Sequence, residues 1–286
     1  MPDGVNFKRR LFLFDKPSLA LVVAGLVAGS MFSGPTVRAA ILTKANTTTM
    51  NVAGDWGGTA PAAGNTGQLD ATISAPNAAA LTLGGAVALD GLTFLGTMNG
   101  PVTVATSAST LTLGTSAGIN MSAANFDVTL NCPVSVQTFN VPVGRTITLG
   151  GGSSAFLSAN ISSGLGTVQL TAASAKTFTT SGGTQPVNMG TPSTGTGGLV
   201  IGNNCTVNGS TSFEPGTGGN GLVTINGGTL NFTGGNLVAG RNATGNGRLI
   251  LANGAITVGA NIPIIGFQNA TGELDVQGGL FSSAGA

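Results

Sequence analysis

The chain has no His and no Tyr, a single Trp, two Cys, and charged residues at only 7% of its 286 positions. Each shortage narrows the field. Without His, a Ser or Thr nucleophile lacks its usual base partner. Ordinary soluble domains carry roughly 25% charged residues, so this chain can spend few acids on converging catalytic carboxylates. No run of Lys and Arg forms a basic patch in the body of the chain, and scattered Phe offers no stacking platform, which argues against nucleic-acid binding.

What is abundant is Gly, at 48 residues, with Thr, Ser, Asn, Val, Leu and Ala making up most of the rest. β-branched and aliphatic residues alternate with small polar ones, a pattern suited to strands and tight turns and ill suited to helices. Low charge with high Gly is also compatible with disorder. The mean hydropathy of +0.36 and the regular alternation favour a folded β structure.

The strongest signal is a repeat. Gly221-Leu-Val-Thr-Ile-Asn-Gly-Gly-Thr-Leu-Asn-Phe232, Gly247-Arg-Leu-Ile-Leu-Ala-Asn-Gly-Ala-Ile-Thr-Val258 and Gly272-Glu-Leu-Asp-Val-Gln-Gly-Gly-Leu-Phe-Ser-Ser283 align, and their leading glycines are almost evenly spaced. Each copy has a short alternating run, a Gly-containing turn and a second short run. A period of ~25 residues built from strands and turns marks a solenoid, because no copy can bury its apolar face alone. Upstream, strands are expected at residues 69–73, 80–83, 86–94, 102–105, 110–113, 126–130, 134–141, 146–149, 167–170, 177–180 and 199–201, at less regular spacing.

Two all-β arrangements compete. A sandwich or barrel would pair neighbours as hairpins, and Asn226-Gly227 and Asn253-Gly254 are hairpin-favouring pairs. A parallel β-helix would instead stack equivalent strands. It would place Val223, Leu249 and Leu274, then Ile225, Leu251 and Val276, in interior ladders, with Thr224 and Asp275 outside. The in-register repetition favours the β-helix, with about nine rungs between residues 68 and 286 at ~25 residues per rung.

The N-terminus is a separate object. Lys8, Arg9, Arg10 and Lys16 precede an apolar run from Leu19 to Phe32, followed by Ser33-Gly34-Pro35 and Val37-Arg38-Ala39-Ala40. This is the layout of a secretory signal peptide cleaved near Ala39; the apolar run falls short of the ~20 residues needed to span a bilayer. Arg9-Arg10 also fits a twin-arginine export signal. With residues 1–39 removed, Lys44, Arg145, Lys176, Arg241 and Arg248 face Asp55, Asp70, Asp90, Asp127, Glu214, Glu273 and Asp275, a net charge near −2.

Two cysteines in an exported chain suggest a disulfide. The sequence distance from Cys132 to Cys205, however, is close to three rungs of ~25 residues. Three rungs at ~4.8 Å separate them by roughly 14 Å, beyond disulfide reach, so both are expected to be buried free thiols. The lone Trp56, within Asp55-Trp56-Gly57-Gly58, is expected to plug the first rung rather than stack on a ligand. Glycine clusters at Gly150 to Gly152 and Gly218 to Gly221 open no helix and cradle no phosphate.

Asn51 to Gly57 with its Trp, Leu89-Asp-Gly-Leu-Thr-Phe94, Leu111-Thr-Leu-Gly114, the run from Gly221 to Phe232 and Leu237-Val-Ala-Gly-Arg241 resemble exported bacterial proteins with autotransporter-associated β-strand repeats. Relatives of that family carry Pro-Glu-Pro sorting signals. The resemblance implies a right-handed parallel β-helix used as a surface stalk, adhesin-like passenger or matrix component. The chain ends at Ser282-Ser-Ala-Gly-Ala286 with neither a translocating barrel nor a sorting tail, and is expected to be a truncated piece.

The expected organisation is a signal peptide (1–39), an N-terminal lead-in or cap (40–67), irregular β-helix rungs (68–197) and regular repeats (198–286). The expected role is an exported structural or adhesin-like scaffold without catalytic, cofactor-binding or metal-binding residues. Its partners would be polysaccharide or other surface components, or further copies along strand edges, with no nucleic acid and membrane contact only through the export signal. The alternative is a carbohydrate-active β-helix, which would need acids converging on one face.

Overall fold

The computed structural model describes residues 39–156, 161–163, 166–180, 185–189, 198–259 and 263–284. All but the last residue of the expected signal peptide therefore lies outside the described residues. Residues 39–286 form one unit.

That unit is a parallel β-solenoid whose turns each contribute strands to three faces. On the first face, Val128–Leu130, Thr146–Leu149, Thr167–Leu170 and Leu199–Ile201 lie side by side, and the first half of Asn220–Phe232 continues the ladder. One column on this face links Leu81, Val104, Leu130, Leu149, Leu170, Ile201, Ile225, Leu251 and Val276, each paired in parallel with the next. The turn lengths are uneven, shortest from Leu130 to Leu149 and longest from Leu170 to Ile201, and become regular from Ile201 onward. These are nine levels joined by eight turns, where the sequence implies about nine rungs. The second face stacks Val134–Val136, Lys176–Thr180, Cys205–Gly209 and Leu280–Ser283 among others. The third includes Ile41–Thr43, Thr66–Leu69, Phe213–Pro215, Val238–Arg241 and Ile264–Phe267.

The hairpin arrangement is ruled out: among the described pairings only Met189 with Asn220 is antiparallel. The Asn-Gly pairs make corners instead. Asn220–Phe232 and Asn246–Val258 each run from the first face to the second, and Asn226 pairs with Asn253 at the bend. Gly227 and Gly254 take φ of +91° and +101° there, a backbone conformation that side chains rarely allow. At Gly254 a Cβ would also collide with the Gly228 carbonyl of the turn before it.

The interior ladders form as the alternation requires. Val223, Leu249 and Leu274 are partners, as are Ile225, Leu251 and Val276, while Thr224 and Asp275 share the outward column. Val223, Ile225, Leu249 and Leu251 are fully buried. Phe213 and Phe232 fill the interior between faces, their ring centroids 4.9 Å apart.

Three expectations need correction. The strand expected over residues 69–73 is instead Thr66–Leu69, because the Asp70 carboxylate accepts the Thr72 N–H at 2.8 Å and turns the chain. The strand expected over 134–141 breaks into Val134–Val136 and Phe139–Asn140 as it changes face. The repeat implies two strands per copy, yet each turn has a third. In Val238–Arg241 this strand buries Val238, Ala239 and Gly240 in succession and shows no alternation.

Candidate functional site

Three places concentrate polar or charged groups. The first lies at the N-terminal end. Asp55 and Trp56 belong to the short 3₁₀ helix Ala53–Trp56, whose chain folds back over the first turn. Trp56 is 1% exposed, so the indole offers no ligand-stacking surface. Its Nε1 donates to the Met50 carbonyl at 2.8 Å. The ring sits where Gly67 has no side chain; a Cβ there would lie 3.0 Å from it. The buried Lys44 ammonium donates to the carbonyls of Ala45 and Thr47 and to the Thr47 hydroxyl, with the indole ring 5.9 Å away. Asp55 accepts from Thr47 and Thr49 hydroxyls, both at 2.7 Å, and from the Val52 N–H. Burial pushes the Asp55 carboxyl up, but these hydrogen bonds and the nearby Lys44 outweigh it and hold the group below the ordinary carboxylate value. Burial lowers the Lys44 pKa, partly countered by Asp55.

The second place is an ion pair on the third face. Arg241 Nη1 lies 2.7 Å from Glu214 Oε1, with Glu214 only 1% exposed. The Thr217 hydroxyl donates to Glu214 Oε2 at 3.1 Å. The guanidinium also lies over the Phe267 ring at 5.2 Å. Both Glu214 oxygens face a partner, Arg241 on one side and Thr217 on the other, while the buried Arg241 Nε has none.

The third is a groove of about 250 Å³ on the second face. Thr179, Asn208 and Asn231 stand in register on successive turns and line it, with Ser210 and Thr233 just beyond the strand ends. Among the described residues no charged side chain lines it.

The remaining acids do not converge. Asp127 accepts the Thr146 N–H. Glu273 and Asp275 do share a strand face, as their spacing implies, and both pair with Arg248, at 2.9 and 3.3 Å, in a solvent-exposed cluster. Among the described residues no group of three His, Cys, Asp or Glu is placed to hold a metal ion. No described helix is long and apolar enough to cross a membrane.

Cys132 and Cys205 are free and buried. The levels of Leu130 and Ile201 beside them are three turns apart, the separation inferred from their spacing. Burial pushes the thiols up to about 12 and about 11, which leaves them unreactive in the folded state.

No protein-family model, curated protein or solved structure matches this chain. Geometry and residue chemistry alone carry the functional reading. The groove escapes a reading of the sequence because Thr179, Asn208 and Asn231 are distant along the chain and meet only through strand register. One signal is present: Thr206-Val-Asn-Gly-Ser210 and Thr229-Leu-Asn-Phe-Thr233 are parallel copies of one motif.

Proposed function

We propose that the protein is an exported structural scaffold, an adhesin-like solenoid at the surface of a bacterium, without catalytic activity. The observation that carries this reading is how the charged side chains are spent. Lys44 and Asp55 tie down the N-terminal segment, Asp70 closes a bend, Asp127 links its level to the next, Glu214 pairs with Arg241, and Arg248 bridges Glu273 and Asp275. These pairings hold the coil together and leave no converging carboxylates among the described residues to drive glycosidic chemistry. A stacked coil is also an economical way to extend a surface, since each turn adds ~4.8 Å while satisfying its backbone groups.

A right-handed coil is the sense we assign, since parallel crossover connections are right-handed in about 98% of cases.

Labelling intact cells with an antibody raised to residues 198–286 tests the reading. Surface labelling is expected without permeabilisation. Labelling that appears only after lysis would sink the proposal of display.

A further inference from the structure

The geometry points to the groove on the second face as a binding site for one neutral, hydroxyl-rich ring, a single sugar unit. The inference rests on the scaffold reading only for where such a ligand would be met.

Three features build the site. Its volume of about 250 Å³ lies just below the ~300–1,000 Å³ of pockets that hold drug-sized ligands, which suits a ligand as small as one sugar ring. Gly209 contributes bare backbone to the lining, and the interior room that a side chain there would need is taken by Phe232, its partner in register. A Cβ on Gly209 would collide with the Phe232 ring and lie 2.7 Å from the Thr180 hydroxyl.

The hydrogen-bonding groups around the groove keep unused capacity. Asn231 Nδ2 donates to Asn208 Oδ1 at 3.1 Å. That bond fixes the orientation of both amides and leaves the Asn208 NH₂ as donor and the Asn231 carbonyl oxygen as acceptor. The hydroxyls of Thr179, Ser210 and Thr233 also line the groove and can donate or accept. Thr180, 6% exposed, lines it as well, and its hydroxyl has no partner. Buried hydroxyls nearly always have a partner, so this one marks a place where the protein alone leaves a polar group unsatisfied.

The chemistry of the lining selects the ligand class. An anion or cation would find no counter-charge here, and an apolar ring would strand amides and hydroxyls. A ring bearing several hydroxyl groups matches a mixed set of donors and acceptors on successive turns.

Titration of ¹⁵N-labelled protein with glucose, galactose, mannose, N-acetylglucosamine, their linear hexamers and glucuronate tests the site, with the side-chain amide signals of Asn208 and Asn231 as readout. Saturable shifts of both signals are expected with at least one neutral sugar at about 1 mM, the weak-binding range. The Asn208→Ala and Thr233→Ala variants should each lose at least tenfold in affinity while keeping the wild-type far-UV spectrum. A monosaccharide binding as well as its hexamer assigns a free sugar; a hexamer binding tighter assigns a unit within a polysaccharide. Absence of shifts with every neutral probe, preference for glucuronate, or binding that survives both substitutions would overturn the inference. Cell-surface labelling is a separate readout, so failure of the groove and failure of the scaffold reading are told apart.

Discussion

Glu214 is a carboxylate almost wholly removed from water and held by Arg241 and Thr217. Removing one partner of a buried pair leaves an uncompensated charge, at a cost of about 3–5 kcal/mol. Arg241→Ala is therefore expected to lower the free energy of unfolding by that amount, seen as a lower urea midpoint with the slope unchanged. Replacing both members by apolar residues should recover much of the loss. The thiols give a second outcome at this scale. With pKa values pushed up to about 12 and about 11, Cys132 and Cys205 should fail to react with a disulfide reagent at neutral pH in the native protein. Both should react promptly in guanidinium, where a free thiol titrates near ~8.5. Fast native reaction would contradict their burial.

The sign of the acid response follows from Asp55. Its folded value lies below the ordinary one, so between the two the unfolded chain binds more protons. Stability is full above the unfolded value of ~3.9 and is lost as pH falls through the folded value. Asp55→Asn should make that acid limb shallower; an unchanged limb in denaturation curves taken across the acid range would assign the loss to other groups. Asp70, also held low despite burial by hydrogen bonds involving Thr72 and Gln68, contributes in the same sense.

At the scale of the strand and corner, position within the coil decides the cost of a substitution. Leu251 and Val276 occupy the same interior column one turn apart, yet the first is fully buried and the second 52% exposed. Leu251→Ala should cost about 2–5 kcal/mol, and Val276→Ala no more than ~0.5 kcal/mol, the range of surface changes. Equal losses in urea titrations would mean that the terminal turn is covered in solution. At the corner, Gly254→Ala forces a side chain onto a φ of +101° against the preceding turn and should cost about 1–3 kcal/mol.

Legibility also varies by element. Val223, Leu249 and Leu274 can be placed in one ladder from sequence because alternation with a fixed period states both the buried face and the register. Val238–Arg241 cannot be placed so, since a strand buried at consecutive positions has no period of two to detect. The turn at Asp70 is hidden inside an apolar-looking run. The groove is least visible, because its residues are ordinary polar surface residues until register brings them together.

At the scale of the whole molecule, the coil of residues 39–284 supports a surface role through its form. Eight turns at ~4.8 Å raise the column by roughly 38 Å, and outward strand positions carry Thr, Asn and Ser alongside the charged cluster of Arg248, Glu273 and Asp275. Thr257 and Ser282, Asn220 and Asn246, and Asn120 and Asn140 are hydrogen-bonded between turns. Such rows present repeated polar groups at one spacing, which suits contact with polymers or with other copies by many weak bonds. Export is the claim on which that role depends. Its most direct test is the intact mass of the protein recovered separately from the cytosol and the cell envelope of a bacterial host producing the full chain. The account predicts an envelope or secreted species beginning at Ala40. A full-length species beginning at Met1 and confined to the cytosol would contradict it.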